Sequence, residues 1–211
     1  NKNFSKSTIH IIPFGVDIDL FLPTSTNPKV FTVGTIKSIE DHNGIDCLLD
    51  AASILVNKYN EKRIQYLIVG KGSLLEEMKQ KATKLKLDDF VTFSGEINYN
   101  KIVEYHQMLS IFIAMSTRES FGVAILEAAA CGIPSITSDI GGLPEVNQNG
   151  VTGLIIKPND SKKLAESIIK LFEDYDYRNR LGKQARYRVE KYFNWNNNVK
   201  KMINIYNGFV N

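Results

Sequence analysis

Cysteine is nearly absent from this sequence: there are two in 211 residues, Cys47 and Cys131. Both fall in apolar, helix-like stretches, which excludes a disulfide framework and leads us to expect reduced thiols in the cytoplasm. Histidine is scarce too, and His10, His42 and His106 stand at no metal-ligand spacing with each other or with the cysteines, so no metal is expected. No apolar run approaches membrane-spanning length, and no signal peptide is visible. Neither sign of charge is in large excess: the net value is +3 and the lysines are spread along the chain, which speaks against a nucleic-acid partner. Internal repeats, low-complexity segments and interior linkers are lacking, as is a G-x-S-x-G nucleophile elbow, so residues 1–211 read as one domain. What is there is ordinary for a globular protein, 43% hydrophobic and 23% charged, and long enough to bury a sizeable core. Opening on Asn1 rather than Met, the chain reads as a piece of a longer protein.

Short apolar runs alternate with helical spacing. Strands are expected at 9–12, 30–33, 63–69, 90–93, 111–115, 135–137 and 154–156. Between them Ile45, Leu48, Leu49, Ala52 and Leu55 recur as one helical face, and Leu74, Leu75, Met78, Ala82 and Leu85 as another. Further helices are expected at 100–109, 123–130, around Leu164 to Phe172 with Asp160 as N-cap, and at 177–192 and 195–209. Pro13, Gly15 and Pro23 punctuate the segment after the first strand. This alternation is that of an α/β fold, a doubly wound parallel sheet of Rossmann-like kind covered on both faces. Ligands of such sheets sit outside the carboxyl ends of the strands, which directs attention to the loops after Val33, Val69, Phe93, Met115 and Thr137.

Four of these loops carry unusual residues. Ser116 to Glu127, S-T-R-E-S-F-G-V-A-I-L-E, is a strand-turn-helix with one carboxylate at the turn and one inside the helix. Glu127, flanked by Leu126 and three alanines, needs a hydrogen-bond partner if it is buried. Gly122 permits close approach of a ligand, and the first N–H groups of the helix offer a place for a phosphate. Paired hydroxyls of a ribose suit Glu127, and those of a hexose suit Glu119. The ordinary alternative makes Glu119 a helix-start carboxylate and Glu127 a solvated helix residue. Lys37, after the second expected strand, is a candidate cation for a diphosphate, or a solvated loop lysine. Gly70-Lys71-Gly72 has the G-x-G of a dinucleotide turn, with Glu96 as a candidate ribose acid, yet Leu75 stands where a third Gly or Ala is wanted. A tight turn explains it equally. Gly141-Gly142 allows either close ligand approach or a positive-φ turn.

Taken in order, these stretches resemble the C-terminal, donor-binding half of the glycosyltransferase family 4 enzymes (glycosyl transferases group 1, GT-B fold). The resemblance runs through I-I-P-F-G-V-D-I-D-L-F-L-P from Ile11, V-G-T-I-K-S-I-E-D-H-N-G from Val33, L-I-V-G-K-G from Leu67 and V-T-F-S-G-E-I from Val91. It continues through R-E-S-F-G-V-A-I-L-E-A-A-A-C-G-I-P from Arg118, D-I-G-G-L-P-E-V from Asp139, N-G-V-T-G-L-I-I-K-P-N-D from Asn149 and the late Y-F-N-W. It implies that Glu119 contacts the transferred sugar and that Glu127 holds the ribose. Backbone around Ser120, Phe121, Gly122 and Val123 would meet sugar and phosphate, and the nucleobase would lie near Gly95 and Glu96. The usual Gly-Arg after the second strand is here Gly34-Thr35, and Asn43 stands where a lysine is common, which leaves Lys37 as the phosphate cation.

The resemblance further implies a retaining transfer from a nucleoside-diphosphate sugar, without bound metal or other cofactor, to the hydroxyl of an acceptor glycan or lipid-linked sugar. The acceptor belongs to an N-terminal domain absent from this chain. The chain is then expected to be silent alone, with the helix at 195–209 packing toward that missing domain. The whole protein is expected in the cytoplasm or at the inner face of a membrane. Alternatives are a sugar-nucleotide epimerase of the same fold, a NAD-binding module using Gly70 and Gly72, and an interaction module without ligand.

Overall fold

Alternation within the apolar runs decides the architecture. In strand β2, Ile64–Val69, the side chains of Ile64, Tyr66 and Ile68 join one buried cluster, whereas Leu67 and Val69 join another. Strand β4, Ile111–Ala114, divides in the same way, Ile111 and Ile113 against Phe112 and Ala114. Successive side chains of a strand point to opposite faces, so both faces of these strands must be covered.

The computed structural model, which describes residues 9–24 and 30–210, has them so. With β1 (Phe31–Ile36), β3 (Val91–Gly95), β5 (Ser135–Ser138) and β6 (Gly153–Ile156) they form a six-stranded sheet in the order β3-β2-β1-β4-β5-β6. All five neighbouring pairs are parallel. Helices α1 (Ile45–Ser53), α2 (Leu75–Lys84) and α6 (Ser161–Glu173) supply the first face. Helices α3 (Ile102–Gln107), α4 (Val123–Ala130) and α5 (Leu143–Val146) supply the second. Helix α7 (Tyr175–Tyr192) passes from one to the other, with Leu181 in the first cluster and Ala185 and Val189 in the second. Helix α8 (Trp195–Val210) follows. This is the expected doubly wound α/β sheet, and the strand order reverses between β1 and β4, where such folds place their ligands.

Several elements differ from expectation. Residues 9–12 form no strand: Ile9 and Ile11 are exposed, and the bridge nearest to them, Val16 to Asn194, lies outside the stretch. The stretch is apolar but joins neither edge of the sheet, β3 or β6, and apolar character without a paired neighbour makes no strand. Strand β1 extends through Gly34 and Thr35 to Ile36 because β2 pairs with it all the way to Ile36–Val69. The helix expected at 100–109 is shorter, a 3₁₀ turn at Tyr99–Lys101 capped by Asn98 and then α3. Helix α1 loosens into a π turn at Ile54–Lys58. Asp160 caps α6 as expected, its carboxylate accepting from the Lys163 amide at 2.8 Å. Helix α7 begins two residues earlier than expected because Asp174 caps the Tyr177 amide. Burial pushes the Cys47 and Cys131 thiols up to about 12, so neither is a nucleophile near neutral pH.

Candidate functional site

The site forms at the carboxyl ends of β1 and β4, on either side of the reversal. Lys37 is the first residue past β1, and its amide donates to Val69 O at 2.9 Å. Its ammonium donates to Ser116 Oγ at 2.7 Å and to Glu119 Oε2 at 2.5 Å, with both charged side chains more than four-fifths buried. Burial of that kind makes the pair depend on partnership: removing one member strands the other in a poorly solvated place. Thr117 N donates to His42 O, and Ser138 Oγ donates to Ser116 O, so the turn that carries Glu119 is fixed from both sides.

Two glycine pairs bring these loops together. A Cβ on Gly70, whose φ is +141°, would stand 1.9 Å from Lys37 O, and one on Gly72 would stand 2.2 Å from Ile39 O. Likewise a Cβ on Gly141 (φ +56°) would meet Glu119 O at 1.8 Å, and one on Gly142 would meet Ser120 O at 2.3 Å. All four glycines therefore serve loop-to-loop contact within the protein. The G-x-G turn is no open cradle, because Lys37 to Ile39 already lie upon it. The opening of α2 is occupied as well: Leu74 N donates to Ile39 O, Ser73 N donates to Glu40 Oε1 at 3.0 Å, and Ser73 Oγ donates to the same carboxylate. Hydrogen bonds from Ser73 hold the Glu40 carboxyl below its ordinary range. An anion already sits where a dinucleotide pyrophosphate would go, which removes the ground for a NAD turn at Gly70 and Gly72.

Helix α4 is different. Gly122, in a left-handed conformation at φ 98°, is its N-cap and provides no side-chain acceptor, and no acidic residue stands in its first turn. Ile125 N donates back to Gly122 O; the amides before it have no intrahelical acceptors and carry the positive end of the dipole. Beside this end, Lys37, Ser38, His42, Asn43, Arg118, Glu119 and Ser120 line an open cavity of about 520 Å³. Arg118 reaches Asp41 at 3.6 Å, and His42 Nδ1 lies 3.0 Å from the same carboxylate, so two cationic side chains, Lys37 and Arg118, and an imidazole stand near two carboxylates.

The remaining expected residues divide. Ser120 lines the cavity and Val123 is half-exposed on the first turn of α4, whereas the Phe121 ring packs on Phe14 and Phe193, with centroids 5.5 and 6.0 Å away. Gly34 and Thr35 are not brought to the cavity; they are buried within β1, where a Cβ on Gly34 would stand 2.5 Å from Leu67 O. Gly95 lies at the end of β3 with open space before it, and Glu96 is exposed and paired with Lys71 at 2.7 Å. Glu127 is buried on the second turn of α4, which overturns the reading of it as a solvated helix residue. Its partner is His106 on α3, Nε2 to Oε2 3.3 Å. Among the described residues no group of three or more His, Cys, Asp or Glu side chains is placed to hold a metal ion.

The sequence matches the family described as glycosyl transferases group 1 over residues 21–188. The chain belongs to that family. Among group 1 relatives, the O-antigen chain mannosyltransferase C of Escherichia coli is 32% identical over 215 residues, covering 97% of this chain and 56% of that protein. The sucrose-phosphate synthase of Thermosynechococcus elongatus superposes with a TM-score of 0.86 at 27% identity, over 95% of this chain and 52% of that one. Anabaena Alr3699/HepE, solved in complex with UDP and glucose, gives a TM-score of 0.84 at 23% identity over 92% of this chain and 55% of that one. The group 1 chain thus spans about half the length of the curated relatives it matches.

Three residues escaped the sequence reading. His106 stood at no metal spacing and gave no sign of its role; the demand that a buried Glu127 have a partner was the available pointer. His42 and Arg118 sit within the two loops already singled out, and their polar side chains were the overlooked sign.

Proposed function

We propose that this chain is the donor-binding, C-terminal part of a retaining glycosyltransferase of family 4, transferring a sugar from a nucleoside-diphosphate donor to an acceptor hydroxyl. The observation that carries this reading is the uncapped N-terminus of α4 set between the Lys37–Glu119 pair and the buried Glu127. A diphosphate placed there meets the helix amides and the Lys37 ammonium, two sources of positive potential aimed at the oxygen that gains charge as the glycosidic bond breaks. In the free protein Glu119 neutralises Lys37. A bound phosphate takes over part of that role, which frees the Glu119 carboxylate to accept hydrogen bonds from hydroxyls of the transferred sugar. Glu127, about 6 Å further along the axis by helix rise, receives the ribose hydroxyls, and the base lies toward the open space at Gly95. That neighbours of this fold were solved with UDP and UDP-glucose supports the donor class.

The acceptor is bound elsewhere in the whole protein, and the chain by itself is silent. Supporting this, α8 leaves Met202, Ile203 and Tyr206 exposed at helical spacing, an apolar face suited to docking against a further domain. The test is calorimetric or NMR titration with UDP, GDP, ADP and NAD, repeated on Glu127→Ala. One nucleoside diphosphate should bind at millimolar strength or better, about 4 kcal/mol, and Glu127→Ala should abolish it. Binding of NAD alone would refute the reading, and sugar-nucleotide epimerisation by the whole protein without acceptor would point to the epimerase instead.

A further inference from the structure

His106 is fully buried, its ring between Phe21 and Phe112 with centroids 5.9 and 5.6 Å away. Nε2 faces Glu127 Oε2 at 3.3 Å, while Nδ1 is buried and has no hydrogen-bond partner among the described residues. A carboxylate accepts only, so the proton of this contact is on Nε2. A second proton on Nδ1 would leave a buried N–H with no acceptor, a costly arrangement. A histidine held so, with one nitrogen idle, is not needed for packing; phenylalanine or leucine would fill the space without an orphaned polar atom.

We infer that His106 is a positioning residue for the nucleoside: its Nε2–H restrains one oxygen of Glu127 and leaves the other for the ribose diol. This rests on the reading of the chain as a donor-binding domain. The Glu127 side chain keeps 11% of its surface exposed, so it is open to a ligand on one side while His106 fixes it from the other. Without the histidine the carboxylate keeps its charge but loses its aim, and the loss falls on ligands that carry ribose hydroxyls.

The test compares UDP, GDP and ADP, each with its 2′,3′-dideoxy counterpart, against the wild type, His106→Leu and His106→Gln by calorimetry or NMR. His106→Leu should weaken the ribose ligand about tenfold and leave the dideoxy ligand unchanged. His106→Gln, which restores an N–H donor, should recover most of the ribose preference. Equal weakening of both ligands by His106→Leu would make the residue merely structural and overturn the inference, as would no weakening at all. Should His106→Leu fail to fold, the decision falls to His106→Gln and His106→Met: a ribose preference retained by both would overturn it. If the wild type binds one of these diphosphates yet treats its ribose and dideoxy forms alike, Glu127 does not hold the ribose and the inference falls while the donor reading stands. If none binds, both fall.

Discussion

Gly70→Ala separates a packing role for the G-x-G turn from a ligand-binding one. The new Cβ would stand 1.9 Å from Lys37 O, so that carbonyl must retreat by about 1 Å before the contact is tolerable. The obstacle is backbone, held by Lys37 N on Val69 O and by Ile39 N on Lys71 O, and not the free end of a side chain. Strain from φ +141° in a residue with a side chain adds to the overlap. Each contributes on the order of 1–3 kcal/mol, together about 3 kcal/mol. In a chain of this size about 3 kcal/mol lowers Tm by roughly 6–12 °C. Gly95→Ala is the control, with φ +68° but nothing within 4 Å, so it carries strain alone and should cost about 1 kcal/mol. Thermal unfolding followed by circular dichroism reads both. A Tm unchanged by Gly70→Ala would mean that the loop is not clamped as described, and the argument against a dinucleotide turn would fail with it. The retreat also draws the Lys37 ammonium away from Ser116 and Glu119, so donor titration should weaken in step with Tm.

Two further perturbations address the charged loops. Lys37→Met should cost about 2 kcal/mol, because it strands Glu119 in a poorly solvated turn. Adding Glu119→Gln should return part of that loss, and a denaturant double-mutant cycle with strictly additive effects would contradict the pairing. The Glu40 carboxyl is held below its ordinary value of 4.5 by Ser73. A depressed carboxyl contributes stability that is full above the unfolded value and drains away as pH falls through the lower folded one. Glu40→Gln should therefore lower Tm at neutral pH, flatten its dependence on pH below about 4.5 and converge with the wild type in acid; an acid limb as steep as that of the wild type would refute this.

The parallel sheet was legible because its strands are short, nearly continuous apolar runs separated by helical spacing, and burial on both faces leaves such runs no other use. Its first expected strand was not, since pattern reports apolarity and not whether the stretch meets a partner strand. In the site, Lys37, Glu119 and Ser120 were legible from loop position and charge, and the structure brings them together. Gly34 and Thr35 were expected at the loop yet lie inside β1, because pairing with β2 extends the strand by three residues beyond Val33. The roles of Gly70 and Gly72 could not be read: a glycine required by a neighbouring carbonyl and one required by a phosphate look the same in sequence. His106 was invisible for a similar reason, since its meaning comes from Glu127, twenty-one residues away in the chain and on another helix.

The four glycines at 70, 72, 141 and 142 have a consequence for how relatives of this protein are compared. Each is excluded from carrying a side chain by a backbone carbonyl of the facing loop. No choice of sugar or base relaxes that demand. Their retention in another sequence therefore certifies that the two pairs of loops are seated, and is silent about what is transferred. His42 and Arg118 are under no such compulsion; their side chains border the cavity and, among the described residues, engage the exposed Asp41. Differences in substrate among relatives are to be sought at those two positions, where the fold sets no condition.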